Sequence, residues 1–261
     1  MSAWWHLTKK ELRLGLPAFL LILITFAVIL GVVSYIGYRA GFLWEAATIV
    51  SVLALGGHIF YLAYYLLYSL EKERKKLHLW LHNPQPGYAL LLAKIAAGLI
   101  TLIVSMLIIG TLLLISFNLA ENFHQMEWSH STQLAVFGIL HIMMLSVNIA
   151  VYFIFFWMIF LLINRFTNGF FSFILTLIIF LISMSLYGWF METAVYEALT
   201  MWGEINLLNI LSGFEFNFSS DAFMAEFDTM PLYLGNYVFE ASVTVLLFLA
   251  ASWLLDRKVE V

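Results

Sequence analysis

The sequence predicts an all-α, polytopic integral membrane protein, and three observations support this fold class. First, 63% of the 261 residues are hydrophobic and only 11% are charged, whereas a soluble domain is usually about half apolar. Second, apolar runs of twenty or more residues recur along the chain, each long enough to cross a hydrocarbon core of roughly 30 Å as a helix. Third, basic residues collect in alternate connecting segments, as they do on one side of a membrane.

Residues 1–14 are predicted to form an interfacial helix. Trp4 and Trp5 lie opposite Lys9 and Lys10 on this helix. Tryptophan rings favour headgroup depth while lysines stay in water, so such a helix lies in the plane of the membrane surface. The same residues equally fit an ordinary aromatic anchor for the first span.

Six apolar runs are predicted to be transmembrane helices of a single domain covering residues 1–261. Pro17 falls in the first turn of the first span, where its missing N–H is tolerated. The third run is longer than the bilayer requires, so its helix should tilt or project. Lys94, near its start, is predicted to extend its amine toward the headgroups. The spans are 15–37, 46–69, 88–117, 132–163, 170–190 and 237–255.

The distribution of lysine and arginine predicts the topology. With the N-terminus inside, eleven basic residues fall in cytoplasmic segments and only Arg39 falls outside. Such an excess of basic residues is typical of cytoplasmic loops. Six spans therefore leave both termini in the cytoplasm. Residues 191–236 become an outer segment that carries seven acidic residues and no lysine or arginine.

The longest polar run between spans, residues 71–87, reads EKERKKLHLWLHNPQPG. As a helix it places Leu77, Trp80 and Leu81 on one apolar face beside a basic face. The helix should stop near residue 83, because Pro84 removes a backbone donor and disfavours helix in the residue before it. The run predicts a short amphipathic helix on the cytoplasmic side that is suited to docking.

This run resembles a motif in permease subunits of ABC-2 type ATP-binding-cassette exporters. That motif lies between spans two and three and reads E-x-E-R, then leucines, a proline, and a lysine ten residues after the proline. The number of spans and their topology also agree with that family. The matching residues here are Glu71, Glu73, Arg74, Leu77, Leu81, Pro84 and Lys94.

The resemblance implies that residues 71–83 form a coupling helix seated in a groove of a separate cytosolic ATPase. The implied ATPase-coupling residues are Glu71, Glu73, Arg74, Leu77, Trp80, Leu81 and Pro84. It also implies a second permease subunit, identical or paralogous, a plasma-membrane location, and short re-entrant or interfacial helices within residues 191–236. A solvated basic loop that follows the positive-inside rule remains the alternative for residues 71–83.

The sequence contains no ATPase motif of its own. The phosphate-loop pattern Gly-x-x-x-x-Gly-Lys-Ser/Thr does not occur in the sequence. We therefore expect no catalytic residue, cofactor or metal in this chain, with ATP and Mg²⁺ bound by the partner ATPase. The absence of cysteine excludes disulfides and thiolate metal sites. The expected partners besides the ATPase and the second permease are membrane lipids, and no nucleic acid.

Other function classes stay open on a few polar residues within the spans. His58 and His141 lie in spans two and four, where ionisable residues are functional candidates. Paired histidines could hold a haem, although neutral histidines that hydrogen-bond between helices are commoner. Glu240, near the outer end of span six, fits a cation site or an interfacial position.

A secondary transporter or channel is the main alternative to the exporter. It would need midplane carboxylates or matching broken spans, neither of which the sequence shows. A membrane enzyme is a further alternative. Small residues, among them Gly98 in span three and the Gly56–Gly57 pair in span two, are expected to allow close helix contact. The expected cargo is amphipathic, peptide or lipid-like.

Overall fold

The computed structural model describes residues 3–74, 85–120, 128–205 and 232–259. Within these ranges 92% of the residues are helical, and six helices are long and apolar enough to cross a membrane. The prediction of a helical, multi-pass membrane protein is confirmed at this level.

The first span and the predicted interfacial helix form one helix, α1 (Ala3–Ala40), with Pro17 inside it. No turn separates residues 14 and 15, which is a difference from the predicted boundary. The side chain of Thr8 donates to the carbonyl of Trp4 within this helix. Gly15 lies so close to the ring of Tyr65 that a Cβ there would overlap it.

The second span contains a 3₁₀ turn near its middle, which the sequence analysis did not predict, and its backbone stays right-handed helical at Gly57, His58 and Tyr61. Helix α2 (Leu43–Gly57) ends at a 3₁₀ turn (His58–Phe60), and α3 (Tyr61–Arg74) follows. The backbone N–H of Leu62 donates to the hydroxyl of Ser146, 3.3 Å away. The last turn of α3, residues 71–74, is also the beginning of the predicted coupling helix, residues 71–83. Residues 75–84 lie outside the described part of the chain.

The remaining spans agree with the predicted ranges to within a few residues. They are α4 (Gly87–Leu119), α5 (Trp128–Asn164), α6 (Gly169–Met191) and α8 (Leu234–Leu254), with a π-helical turn (Leu255–Val259) after α8. The described parts of the predicted outer segment contain a short helix, α7 (Ala194–Thr200), and two paired two-residue strands. Strand β1 (Glu204–Ile205) pairs antiparallel with β2 (Leu232–Tyr233).

The chain divides into two compact units. The first contains α1, α2, the 3₁₀ turn, α3, α4 and residues 138–151 of α5, and the second contains the rest of α5 with α6, α7, α8 and the strands. In the first unit α4 packs closely against α3, since a Cβ at Gly98 would clash with the side chains of Leu62 and Tyr65. The core of this unit is built from α1, α3 and α4, with Ala18, Tyr61, Tyr65, Ala97, Leu102 and Met106 at its centre.

Candidate functional site: a buried ion cluster

Four charged side chains and one serine meet in the first unit, at the end that the positive-inside rule assigns to the cytoplasm. Lys10 and Glu11 come from α1, Ser69 and Glu73 from α3, and Lys94 from α4. Lys94 is 0% exposed, Glu11 1% and Glu73 7%. We call these five residues the ion cluster.

Lys94 is the centre of the ion cluster. Its Nζ lies 2.7 Å from Glu11 Oε2 and 2.6 Å from Glu73 Oε2. It also donates to Ser69 Oγ at 2.8 Å. Lys94 therefore donates hydrogen bonds to Glu11 and Ser69, while its close contact with Glu73 Oε2 is an ion pair without hydrogen-bond geometry. The predicted extension of Lys94 toward the headgroups is therefore wrong, because acceptors from α1 and α3 surround the amine inside the unit.

The two carboxylates are bound by further donors. Ser69 Oγ donates to Glu11 Oε2 at 3.0 Å, so the serine links the lysine to the carboxylate. At the exposed rim, Lys10 Nζ lies 2.9 Å from Glu73 Oε1 and 3.6 Å from Glu11 Oε1. Two lysines and two glutamates balance in charge, which lowers the cost of burying them.

Two neutral hydrogen bonds hold the same helix ends together. The hydroxyl of Tyr65 donates to the backbone carbonyl of Glu11 at 2.9 Å. The indole of Trp4 donates to the carbonyl of Ala89 in the first turn of α4, 3.2 Å away. Removing one partner from a buried, hydrogen-bonded charge pair leaves an uncompensated charge. The ends of α1, α3 and α4 are thus joined by ion pairs and hydrogen bonds.

The predicted ATPase-coupling residues fall into three groups. The carboxylate of Glu73 is directed into the ion cluster. Glu71 and Arg74 form a partly exposed pair with each other at 2.8 Å. The others, Leu77, Trp80, Leu81 and Pro84, lie outside the described residues.

Sequence reasoning missed Glu11, Lys10 and Ser69 as members of a site. Glu11 and Lys94 are 83 residues apart in sequence, so no local spacing relates them. One signal was available: opposite charges occur near the same predicted membrane side of three consecutive spans.

His58 occupies a second buried polar position in the first unit, at the 3₁₀ turn between α2 and α3. Its Nδ1 lies 2.7 Å from the carbonyl of Ala54 and its Nε2 lies 2.9 Å from Ser105 Oγ. A carbonyl only accepts, so Nδ1 carries the hydrogen and Nε2 accepts from the serine. Both ring nitrogens are engaged, which favours an interhelical hydrogen-bonding role over a haem ligand. His141 is half-buried in α5.

The second unit has one notable polar pair. The hydroxyl of Tyr187 on α6 donates to Glu240 Oε1 on α8 at 2.6 Å. On the same helices and α7, the rings of Phe190, Tyr196 and Phe239 pack with centroids 5.5 to 6.2 Å apart. Within the described ranges, no three histidine, aspartate or glutamate side chains are grouped as a metal site.

Comparison of the chain with protein-family models, with curated proteins and with solved structures finds no match. Its function is therefore inferred from its own residues, and the ion cluster is the most elaborate polar arrangement among those described.

Proposed function

We propose that the chain is the membrane-spanning subunit of an ATP-binding-cassette exporter of the ABC-2 type. Residues 71–83 dock on a cytosolic ATPase subunit, which binds ATP and Mg²⁺. A second permease, identical or paralogous, completes the transporter. The chain crosses the cell membrane six times with both termini in the cytoplasm, and its cargo is amphipathic, peptide or lipid-like.

The observation that carries the proposal is the ion cluster at the end of α3. Helix α3 leads directly into the residues that resemble a coupling helix, and Glu73 belongs both to that motif and to the ion cluster. Two ion pairs and the bridging Ser69 connect α3 to α1 and α4. A push on residues 75–83 is transmitted to three helices because buried, charge-balanced contacts resist separation.

Coupling requires an element that responds as a unit to the motor. A solvated basic loop between two spans would not require a buried lysine that contacts two carboxylates and a serine hydroxyl. The ion cluster gives the predicted docking segment a rigid base, and this supports a mechanical role over a purely topological one.

Docking is tested by co-purification from the native membrane. The variant with Leu77→Asp, Trp80→Asp and Leu81→Asp should lose a co-purifying ATPase that contains a phosphate loop, because its apolar docking face becomes charged. Val195→Asp with Leu199→Asp, two exposed apolar positions on α7, is the control and should retain the ATPase. Equal retention by both variants contradicts docking through residues 71–83.

A secondary transporter is the second candidate, and one observation favours it. Span two tightens to a 3₁₀ turn at His58–Phe60, and a stretch of 3₁₀ inside a helix often marks a functional hinge. Purified chain in vesicles distinguishes the two. Uptake driven by an ion gradient without any ATPase would support the second candidate, and uptake only with ATPase and ATP would support the first.

A further inference from the structure

A groove of about 590 Å³ opens on the first unit between α1 and the second span. Its floor includes Phe26, Val50, His58 and Ile109, all buried. Its rim is formed by exposed apolar side chains, Leu21, Ile29, Leu53 and Phe60. The volume lies in the range of ligand pockets, which is roughly 300–1,000 Å³.

The groove lies near the middle of the bilayer. Residues 21–29 are central in the predicted span 15–37, and residues 50–61 surround the centre of the candidate span Leu43–Arg74. At this depth the surroundings are hydrocarbon, and lipid headgroups lie far toward either surface. Any occupant must therefore be apolar along the part that enters the groove.

Four residues with polar side chains line the groove, Thr25, His58, Tyr61 and Tyr64, and His58 is fully hydrogen-bonded. Both ring nitrogens of His58 are already bonded, to the carbonyl of Ala54 and to Ser105. A ligand needs to supply no hydrogen bond to His58, and a polar ligand would lose its own bonds to water on entering. Ten of the fourteen lining residues are apolar, and this majority favours a hydrocarbon occupant.

The absence of a side chain at Gly57 helps to keep the groove open. Gly57 lines it, and a Cβ at that position would meet no atom within 4 Å. The same holds for Gly56, which does not line the groove. The expected close helix contact at this glycine pair is therefore wrong, because the two positions face open space.

We propose that this groove binds one acyl chain of a membrane phospholipid. Lipid tails are as apolar as the side chains around them, so burial alone does not retain the chain. Retention comes from van der Waals contact, because a concave wall surrounds the chain on more sides than a convex helix face does. The site exists whether or not the chain couples to an ATPase.

The proposal is tested by photolabelling the full-length protein in phosphatidylcholine vesicles that contain phosphatidylcholine with a diazirine in one acyl chain. We expect adducts to concentrate on Leu21, Leu53 and the other rim residues. Ile24 and Val28 are the matched positions, since they are exposed at 58% and 59%, like Leu21 at 55%, but lie outside the groove. Equal labelling of the two sets means bulk lipid only and overturns the proposal.

Two glycine variants sharpen the test. Gly57→Phe places a ring in the groove and should remove most of the rim adducts. Gly56→Phe adds the same ring to the neighbouring turn and should leave them in place. Unchanged rim labelling in a folded Gly57→Phe protein contradicts the site. A matched sample that carries photoleucine in the protein tests the other occupant, since crosslinks from the rim to a second copy would also contradict the site. If Gly57→Phe does not fold, the wild-type labelling map decides alone.

Discussion

The first unit joins three helix ends through four charged side chains, whereas the second joins α6 to α8 through aromatic rings and one tyrosine–glutamate hydrogen bond. Among the second-unit residues whose burial is described, no charged side chain is buried. Removing one partner of a buried ion pair leaves a buried charge uncompensated, whereas the aromatic contacts of the second unit involve no charged group. The two units should therefore respond differently to the loss of a single polar group.

The largest expected effect distinguishes the buried lysine from the rim lysine. Lys94→Met leaves the carboxylates of Glu11 and Glu73 with one half-exposed lysine, and we expect a loss of about 3–5 kcal/mol in unfolding free energy. Lys10→Met should cost clearly less, because Lys10 is half-exposed and water can replace part of its interaction with Glu73. Unfolding midpoints of the two variants in the same detergent provide the measurement.

A double variant sharpens this prediction. Lys94→Met with Glu11→Leu removes one charge of each sign and leaves Lys10 paired with Glu73. Its cost should be clearly less than the sum of the two single costs, as expected for residues in direct contact. If the two single costs in unfolding free energy add up to the cost of the double variant, Lys94 and Glu11 do not interact energetically, and the prediction is wrong.

The polar pair of the second unit should give an intermediate effect. Tyr187→Phe keeps the ring and removes the donor to Glu240, and hydrogen bonds to charged groups contribute about 1.5–3 kcal/mol. Tyr35→Phe, at an exposed position, is the control and should be neutral. A cost for Tyr187→Phe as large as that for Lys94→Met would remove the contrast between the units.

The smallest effect is expected at the 3₁₀ turn of the second span. Ser105→Ala removes the donor to His58 Nε2 and should cost about 1 kcal/mol. Ser183→Ala, whose hydroxyl bonds to the carbonyl one turn earlier in its own helix, should be near neutral. If both variants are neutral, the His58–Ser105 bond does not stabilise the 3₁₀ turn.

Much of the fold could be predicted from the sequence because membrane spans are set by local composition. Length and apolarity gave six spans, and their ends agree within a few residues in α4, α6 and α8. The 3₁₀ turn at His58–Phe60 could not be predicted this way, since the local sequence does not specify it. It is stabilised by Ser105 and Ser146, which come from other helices.

The site was less predictable than the fold. The position of Lys94 at a span end was read correctly, but its environment depends on Glu11 and Ser69, which are 83 and 25 residues away. Hydropathy treats an isolated lysine as a group that must reach water. Only the packing of three helices shows that carboxylates, instead of water, surround the ammonium group of Lys94.

The rigid joining of α1 to α4 is the central claim, and a spin-label distance across the ion cluster tests it most directly. The chain has no cysteine, so nitroxide labels attach only at His6→Cys on α1 and Tyr88→Cys on α4, both exposed. We predict a narrow distance distribution in the otherwise unaltered protein, a broad one with Lys94→Met, and a narrow one with Lys72→Met, an exposed control. An equally narrow distribution in folded Lys94→Met protein would contradict the claim.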